Sequence, residues 1–234
     1  MAITTTISLA MNAFRLLGDF SHLLSFIVMF WKLFSSKSVA GISLKTQEIY
    51  VMVFLARYLD IFWNTLSVYN SVMKVIFIVS SVAIVYIIRF GNPHKNTYDK
   101  EDDGFPHMYL VLPAALLGIA VNQDMWSFNA YWAFEMSWAF SIYLEAVAIL
   151  PQLFMLQKQG GAENLTSHYI LLLGMYRLFY LLNWIYRYMT EDNYMQLIVW
   201  ISGIVQTALY LDFFYTYINA KRERIDAPIE LDNA

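Results

Sequence analysis

The chain has 234 residues, 59% of them hydrophobic, 18% aromatic and only 14% charged, against roughly a quarter charged in an ordinary soluble domain. That balance argues against a water-soluble enzyme. A net charge of −3 gives no reason to invoke nucleic acid, and the absence of cysteine removes disulfide frameworks, thiolate metal sites and cysteine nucleophiles together.

Residues 1–10 read as an N-terminal extension, because a second methionine, Met11, opens MNAFRLLGD. They carry no basic n-region and no cleavage pattern follows, so the first apolar stretch is read as a retained span. Hydropathy then places spans at 13–33, 43–63, 68–89, 108–123, 131–156, 166–188 and 195–218, followed by a tail at 219–234. At about 20 residues per span, seven of them use about 140 residues and leave no room for a further domain. The expected class is an all-α integral membrane protein with a single membrane domain at 11–218.

Basic residues near span ends stay on the cytoplasmic side. With the N-terminus outside, Lys32, Lys37, Lys45, Arg89, Lys95, Lys100, Lys158, Lys221, Arg222 and Arg224 all fall in cytoplasmic segments. An odd number of spans places the C-terminus there too. The sequon Asn164-Leu165-Thr166 then lies in a cytoplasmic loop and is expected to carry no glycan.

An offset of 120 residues aligns Ser21, Leu24, Leu33 and Phe34 with Ser141, Leu144, Leu153 and Phe154, and Thr46 and Arg57 with Thr166 and Arg177. Spans 1, 2 and 3 superpose on spans 5, 6 and 7. The expected architecture is therefore two parallel three-helix repeats, 13–89 and 131–218, joined by a linker helix at 108–123. Such repeats place a functional site between the halves, and Pro151-Gln152 fits the PQ-loop or SWEET-like branch of this 3+1+3 architecture.

Of the ionisable residues inside spans, seven are singled out: Arg57, Asp60, Glu135, Glu145, Arg177, Arg187 and Asp212. Exposing all of them to lipid would cost on the order of 20 kcal/mol, so they are expected to face one another or a wet cavity. Arg57 and Asp60 are i,i+3 neighbours. Tyr176, Tyr180, Asn183, Trp184 and Arg187 share one face of span 6, and Glu135, Trp138, Ile142 and Glu145 share a face of span 5. For a single residue, a structural salt bridge is as good a reading as a functional one. The three arginines, with Arg15 at the mouth of span 1, exceed what the nearby acids need and outline an anion site, since arginine grips carboxylates bidentately. Acids on the facing helix allow a cation at the other end, so the best-fitting ligand has carboxylates and one basic group.

His22 on an apolar helix reads first as a core residue. If the repeat sets span 1 beside span 5, it lies near Glu145, and an imidazole of ordinary pKa about 6.5 becomes a proton switch. No metal site is expected, because no second histidine lies nearby and thiols are absent. Lys74 reads as snorkelling or paired locally, and Asp99, Glu101, Asp102 and Asp103 as a solvated run. Neither a nucleophile elbow nor HExxH is present, so no catalytic constellation or cofactor is expected.

The stretches MNAFRLLGDFSHL (11–23), AGISLKTQ (40–47), ARYLDIF (56–62), SIYLEAVAILPQLFM (141–155), YRLFYLLNWIYRY (176–188) and QTALYLDFFY (206–215) resemble the KDEL receptor family. The resemblance covers all but the first ten residues, the middle loops and the tail. It implies a receptor, not an enzyme, that binds the C-terminal KDEL or HDEL signal of escaped endoplasmic-reticulum proteins in the acidic Golgi and releases them in the endoplasmic reticulum. By the same resemblance, Arg15, Arg57, Arg177 and Arg187 handle anionic groups. Glu135 meets the basic residue four from the peptide end, helped by Asp60 and Trp138, while Tyr176, Tyr180, Asn183 and Trp184 complete the pocket. His22, with Glu145 and Tyr176, carries the pH dependence, and Asp212 serves transport of the loaded receptor.

Three features depart from the family. The tail cluster Lys221, Arg222 and Arg224 precedes an acidic end instead of forming spaced lysines for the retrograde COPI coat. The 122–134 loop and TEDNYMQ before span 7 are longer than expected. A SWEET-like transporter of a small solute is the rival reading, although a neutral sugar has no use for the arginines.

Overall fold

A computed structural model describes residues 12–62, 67–122, 131–160, 164–192, 194 and 196–226. The N-terminal extension at 1–10, most of the 122–134 loop and the tail beyond residue 226 lie outside the described residues, as do the side chains of Lys221, Arg222 and Arg224.

Helices occur at all seven predicted spans. They are α1 (Ala13–Ser36), α2 (Leu44–Arg57), α3 (Val68–Phe90), α4 (Met108–Ala120), α5 (Trp132–Val147), α6 (Leu150–Lys158), α7 (Asn164–Thr190) and α8 (Leu197–Asp226). The first three start where a polar side chain takes an orphan backbone N–H. Asn12 accepts from the Arg15 amide, Ser43 from Thr46 and Ser67 from Asn70.

Predicted span 5 is divided between α5 and α6. Pro151 has no N–H to give the Val147 carbonyl and its ring crowds that residue, so α5 ends there and the chain restarts with proline in the first turn of α6.

Five helical segments are long and apolar enough to cross a bilayer: Ala13–Ser36, Val68–Phe90, Trp132–Lys158, Leu165–Thr190 and Leu197–Tyr215. Two predicted spans come out shorter. α4 has 13 residues and α2 has 14, the latter followed by a 3-10 turn at Leu59–Phe62. Each covers roughly 20 Å at 1.5 Å per residue, less than the roughly 30 Å hydrocarbon core. Hydropathy counts apolar residues across such a helix end and overstates its length.

The most extensive packing is α1 against α7. The others that shape the bundle are α2 against α3 and α5, α4 against α5, α5 against α8, and α7 against α8. Large apolar side chains such as Val68, Leu116 and Ile201 point outward, while Ser25, Thr46, Ser141, Glu145 and Gln152 are buried. This suits a lipid surroundings, where apolar groups gain nothing by turning inward and polar groups must find partners.

Gln152 shows how those partners are found. Its Oε1 accepts from the Ser43 amide at 2.9 Å and its Nε2 donates to the Gly41 carbonyl at 2.8 Å, while its own amide donates to Thr46 Oγ1 at 2.9 Å. Gln152→Ala removes the two side-chain bonds from a dry site. The expected cost is about 1–3 kcal/mol, read as earlier unfolding in detergent micelles, because a backbone donor is left unsatisfied. Unchanged stability would show that the contact contributes nothing.

Lys32, placed above in a cytoplasmic segment, is buried. Its Nζ donates to the Ala40 carbonyl at 2.8 Å and to Thr166 Oγ1 at 2.7 Å. The chain after α1 folds back over it, so carbonyl and hydroxyl oxygens replace water. His94, between α3 and α4, is buried too, its Nε2 set 2.8 Å from the Leu33 carbonyl near the end of α1.

Candidate ligand-binding cavity

At the end of the bundle where α1 and α3 begin and α2 and α7 finish, a cavity of 300 Å³ opens among α1, α2, α3, α5, α7 and the start of α8. Arg15, Arg57, Lys74, Arg177 and Arg187 contribute five cations to its lining, against the single carboxylate of Asp19. His22, Trp138, Tyr176, Tyr180 and Trp184 supply aromatic wall.

Glu145 lies beneath this lining, 1% exposed. The guanidinium groups of Arg57 and Arg177 both pair with it, and the Tyr176 hydroxyl donates to it. Arg57 is held further by Ser141, donating through Nε to Oγ and through Nη2 to the carbonyl, both at 3.1 Å. The Arg177 guanidinium lies 4.6 Å from the centre of the Tyr176 ring. One carboxylate thus holds two permanent cations in a region that excludes bulk water. An ion pair there is stable only while both signs are present, and the surplus positive charge favours a second anion.

His22 is 3% exposed and lines the cavity, its ring stacked on Tyr176 at 4.3 Å and beside Phe77 at 4.5 Å. His22 reaches Glu145 only through Tyr176, on whose ring it stacks and whose hydroxyl donates to that carboxylate. The expectation that α1 lies beside span 5 is not met: α1 packs mainly on α7. Close packing and the matching of buried donors to acceptors, not position in the sequence, decide which helices touch.

The Arg57–Asp60 pairing expected from i,i+3 spacing also fails. α2 ends at Arg57 and the backbone tightens into the 3-10 turn, so the two side chains diverge. Asp60 instead pairs with Lys74 Nζ at 2.6 Å. A second cavity of 390 Å³ adjoins the first, sharing Arg57, Tyr58, Lys74 and Trp138 with it, and is lined by Asp60 and Glu135. The acids expected at one end of the site are therefore gathered there.

At the mouth, Arg15 Nη2 donates to Asn70 Oδ1 at 2.8 Å. Arg187 forks onto both oxygens of Glu191 at 2.8 Å and lies 4.0 Å from the centre of the Tyr194 ring. Burial holds the Tyr194 phenol above its ordinary pKa, so at physiological pH it remains neutral beneath that cation. Asn183 is not wall. It is buried and accepts from Asn12 Nδ2 at 2.6 Å, tying the start of α1 to α7. Asp212 is exposed on α8, apart from the residues that line the cavity.

Sequence reasoning missed Asp19. Its carboxylate accepts from Tyr180 at 2.5 Å and Tyr69 at 2.8 Å, orienting the Tyr180 ring of the cavity wall and tying it to α3. The signal was present, since Asp19 falls inside the first span, four residues from Arg15 and three from His22. Lys74 does pair locally, as expected, but it is also cavity wall. Two glycines let the aromatic wall approach. A Cβ on Gly18 would sit 2.6 Å from the Tyr180 ring, and one on Gly203 would collide with the Trp184 ring.

Comparison with known proteins adds to this geometry. Residues 38–187 match the sequence model of a family described as ER lumen protein retaining receptor. The chain is similar to ER lumen protein-retaining receptor A of Arabidopsis thaliana, 53% identical over 213 residues covering 88% of this chain and 94% of the relative. It is 51% identical to the ER lumen protein-retaining receptor of Petunia hybrida, over 90% of this chain and 95% of that one. With ER lumen protein-retaining receptor 3 of Mus musculus it shares 48% identity over 94% of this chain and 99% of the relative.

Proposed function

The chain belongs to the ER lumen protein-retaining receptor family, receptors without enzymatic activity that return luminal proteins to the endoplasmic reticulum, and we propose that its arginine-lined cavity binds the C-terminal tetrapeptide of those proteins. The observation that carries this reading is the convergence of Arg57 and Arg177 on the one carboxylate of Glu145, beside Arg15, Lys74 and Arg187 in the lining of the first cavity, with Asp60 and Glu135 gathered in the second. A peptide ending in KDEL or HDEL brings a free carboxylate and acidic side chains to the arginines, and its basic fourth-last residue to the acids beside Trp138. Glu145 occupies Arg57 and Arg177, so an incoming carboxylate competes with it for the same guanidiniums.

His22 is the proposed proton switch. A proton on its ring adds positive charge beside a cavity that binds an anion, so proton and peptide stabilise each other, and the coupling is reciprocal. Mildly acidic Golgi pH then favours loading, and near-neutral pH in the endoplasmic reticulum favours release. The charged and titratable groups around the ring are Tyr176, Glu145, Arg177 and Arg57.

The orientation that this requires has the N-terminus and cavity luminal and the tail cytoplasmic, in endoplasmic-reticulum and Golgi membranes. The segregation of Lys37, Lys45, Arg89, Lys95, Lys100 and Lys158 at the opposite end of the bundle supports it. The proposed 3+1+3 repeat is supported by paired contacts at the 120-residue offset. Lys32 bonds Thr166 while Gln152 bonds Thr46, and Arg57 and Arg177 converge on Glu145. Packing of α1 on α7 likewise pairs with that of α2 on α5, and α2 on α3 with α7 on α8. Asp212, exposed on α8, is the proposed group for transport of the loaded receptor. Lys221, Arg222 and Arg224 are the proposed tail signal for the COPI coat.

The test is binding of a labelled HDEL-ending peptide near pH 6 and above pH 7, with a C-terminally amidated control. Wild type is expected to bind several-fold tighter at the lower pH, and the amidated peptide to bind at least about tenfold more weakly, as expected when a charge-assisted hydrogen bond is lost. His22→Ala should flatten the pH response. Equal binding of both peptides would sink the carboxylate clamp, and an unchanged pH response in His22→Ala would move the switch elsewhere.

A further inference from the structure

A cavity of 770 Å³, larger than the peptide cavity, opens at the other end of the bundle between the start of α2, the end of α3 and the connection leading to α4. Lys45, Arg89, Lys95 and Lys100 line it with His107, facing only two carboxylates, those of Glu48 and Asp103. Both acids are already engaged. Glu48 Oε1 takes Arg89 Nη2 at 2.6 Å, and its other oxygen lies 4.0 Å from His107. Asp103 is buried and accepts from the Ser43 hydroxyl at 2.7 Å, the Lys45 amide at 3.2 Å and the Tyr98 hydroxyl at 2.7 Å. Among the described residues, no carboxylate lies within 4.0 Å of the ammonium of Lys45, Lys95 or Lys100. The cavity thus has uncompensated lysines that neither the fold nor peptide binding uses.

Its depth points to the ligand. Trp31 and Phe34 on the last turns of α1, Tyr86 and Phe90 on the last turns of α3, and Tyr109 at the start of α4 are 61–73% exposed at this same end. Exposed aromatic rings at helix ends sit at the level of lipid headgroups, so the mouth of the cavity opens where lipid phosphates lie. A cluster of at least four Lys and Arg at that level attracts multiply anionic headgroups, and the volume lies within the range of sites that enclose a small ligand.

We propose that this basic cavity binds the phosphorylated inositol headgroup of a lipid in the leaflet opposite the peptide cavity. The monoester phosphate meets Lys95 and Lys100 at the rim, and Lys45, half-buried, meets the inner face of the headgroup. The leaflet is cytosolic if the orientation proposed above holds. Binding itself does not depend on that orientation, because a nanodisc offers both faces.

The full chain is reconstituted in phosphatidylcholine nanodiscs containing a small fraction of either a phosphatidylinositol phosphate or phosphatidylserine, and retained lipids are counted by native mass spectrometry. The expected result is preferential retention of the phosphatidylinositol phosphate, about fivefold weaker in Lys95→Ala and in Lys100→Ala, each exposed and tolerant of change. Binding of the HDEL peptide should stay unchanged in both variants, which reports an intact fold and separates failure here from failure of the peptide site. Equal retention of the two lipids would overturn the proposal, as would retention unaffected by either substitution. A third arm adds soluble inositol phosphate. Competition with the lipid supports headgroup recognition, whereas binding of the soluble compound with no lipid retained would overturn the lipid source.

Discussion

Glu145→Ala is expected to destabilise the peptide-free receptor by about 3–5 kcal/mol, the range for breaking a buried ion pair by removing one partner. The reason lies in what remains. Arg57 and Arg177 approach the same carboxylate from α2 and α7, and without it two guanidiniums repel each other in a region with little water. Tyr176 also loses the acceptor of its hydroxyl, which loosens the ring on which His22 stacks. An HDEL-ending peptide should recover part of the loss, since its carboxylate supplies the missing anion. The measurement is thermal or chemical unfolding in detergent with and without peptide. Unfolding at the wild-type midpoint in the absence of peptide would mean that the pair does not hold the helices together.

The second large effect is on affinity. Arg177→Ala should weaken peptide binding by about 30-fold to several thousand-fold, corresponding to about 2–5 kcal/mol for truncating one member of a buried charge pair. Arg177→Lys separates charge from shape. Lysine keeps the positive charge but loses the planar fork and the stacking on Tyr176, so it should fall between wild type and alanine. Titration of a labelled HDEL peptide against the three proteins decides this. Wild-type affinity in the lysine variant would show that a point charge suffices. Because Glu145 and Arg177 touch, their double variant should not show additive losses, and the cycle measures their coupling.

Part of this site was legible in the chain itself. An ionisable residue inside an apolar span carries so large a cost in lipid that its mere position announces an inward-facing role, and so Arg57, Glu145, Arg177 and Arg187 could be picked out without coordinates. Helical spacing then placed Tyr176, Tyr180, Trp184 and Arg187 on one wall. Spacing failed where the helix stopped. Arg57 and Asp60 straddle the end of α2, and the 3-10 turn sends one to Glu145 and the other to Lys74. Asn183 shares the wall's periodicity, yet its partner is Asn12 on another helix, a contact 171 residues away in sequence. Lys32 looked like a topological marker but is a buried donor to Thr166.

By itself, the sequence determined that the chain resides in a membrane, where its helical stretches fall, and that several charges must meet inside. These follow from terms that act on each residue separately: the cost of placing a side chain in hydrocarbon and the local periodicity of a helix. Only the tertiary structure decided that α1 packs on α7, that one glutamate holds two arginines, that Asp19 orients two tyrosines, and that a second basic cavity lies at the far end. Those depend on which helix faces which. In a bilayer that choice rests on close packing and on matching buried donors to acceptors across the bundle, because lipid rewards an apolar surface equally on every side.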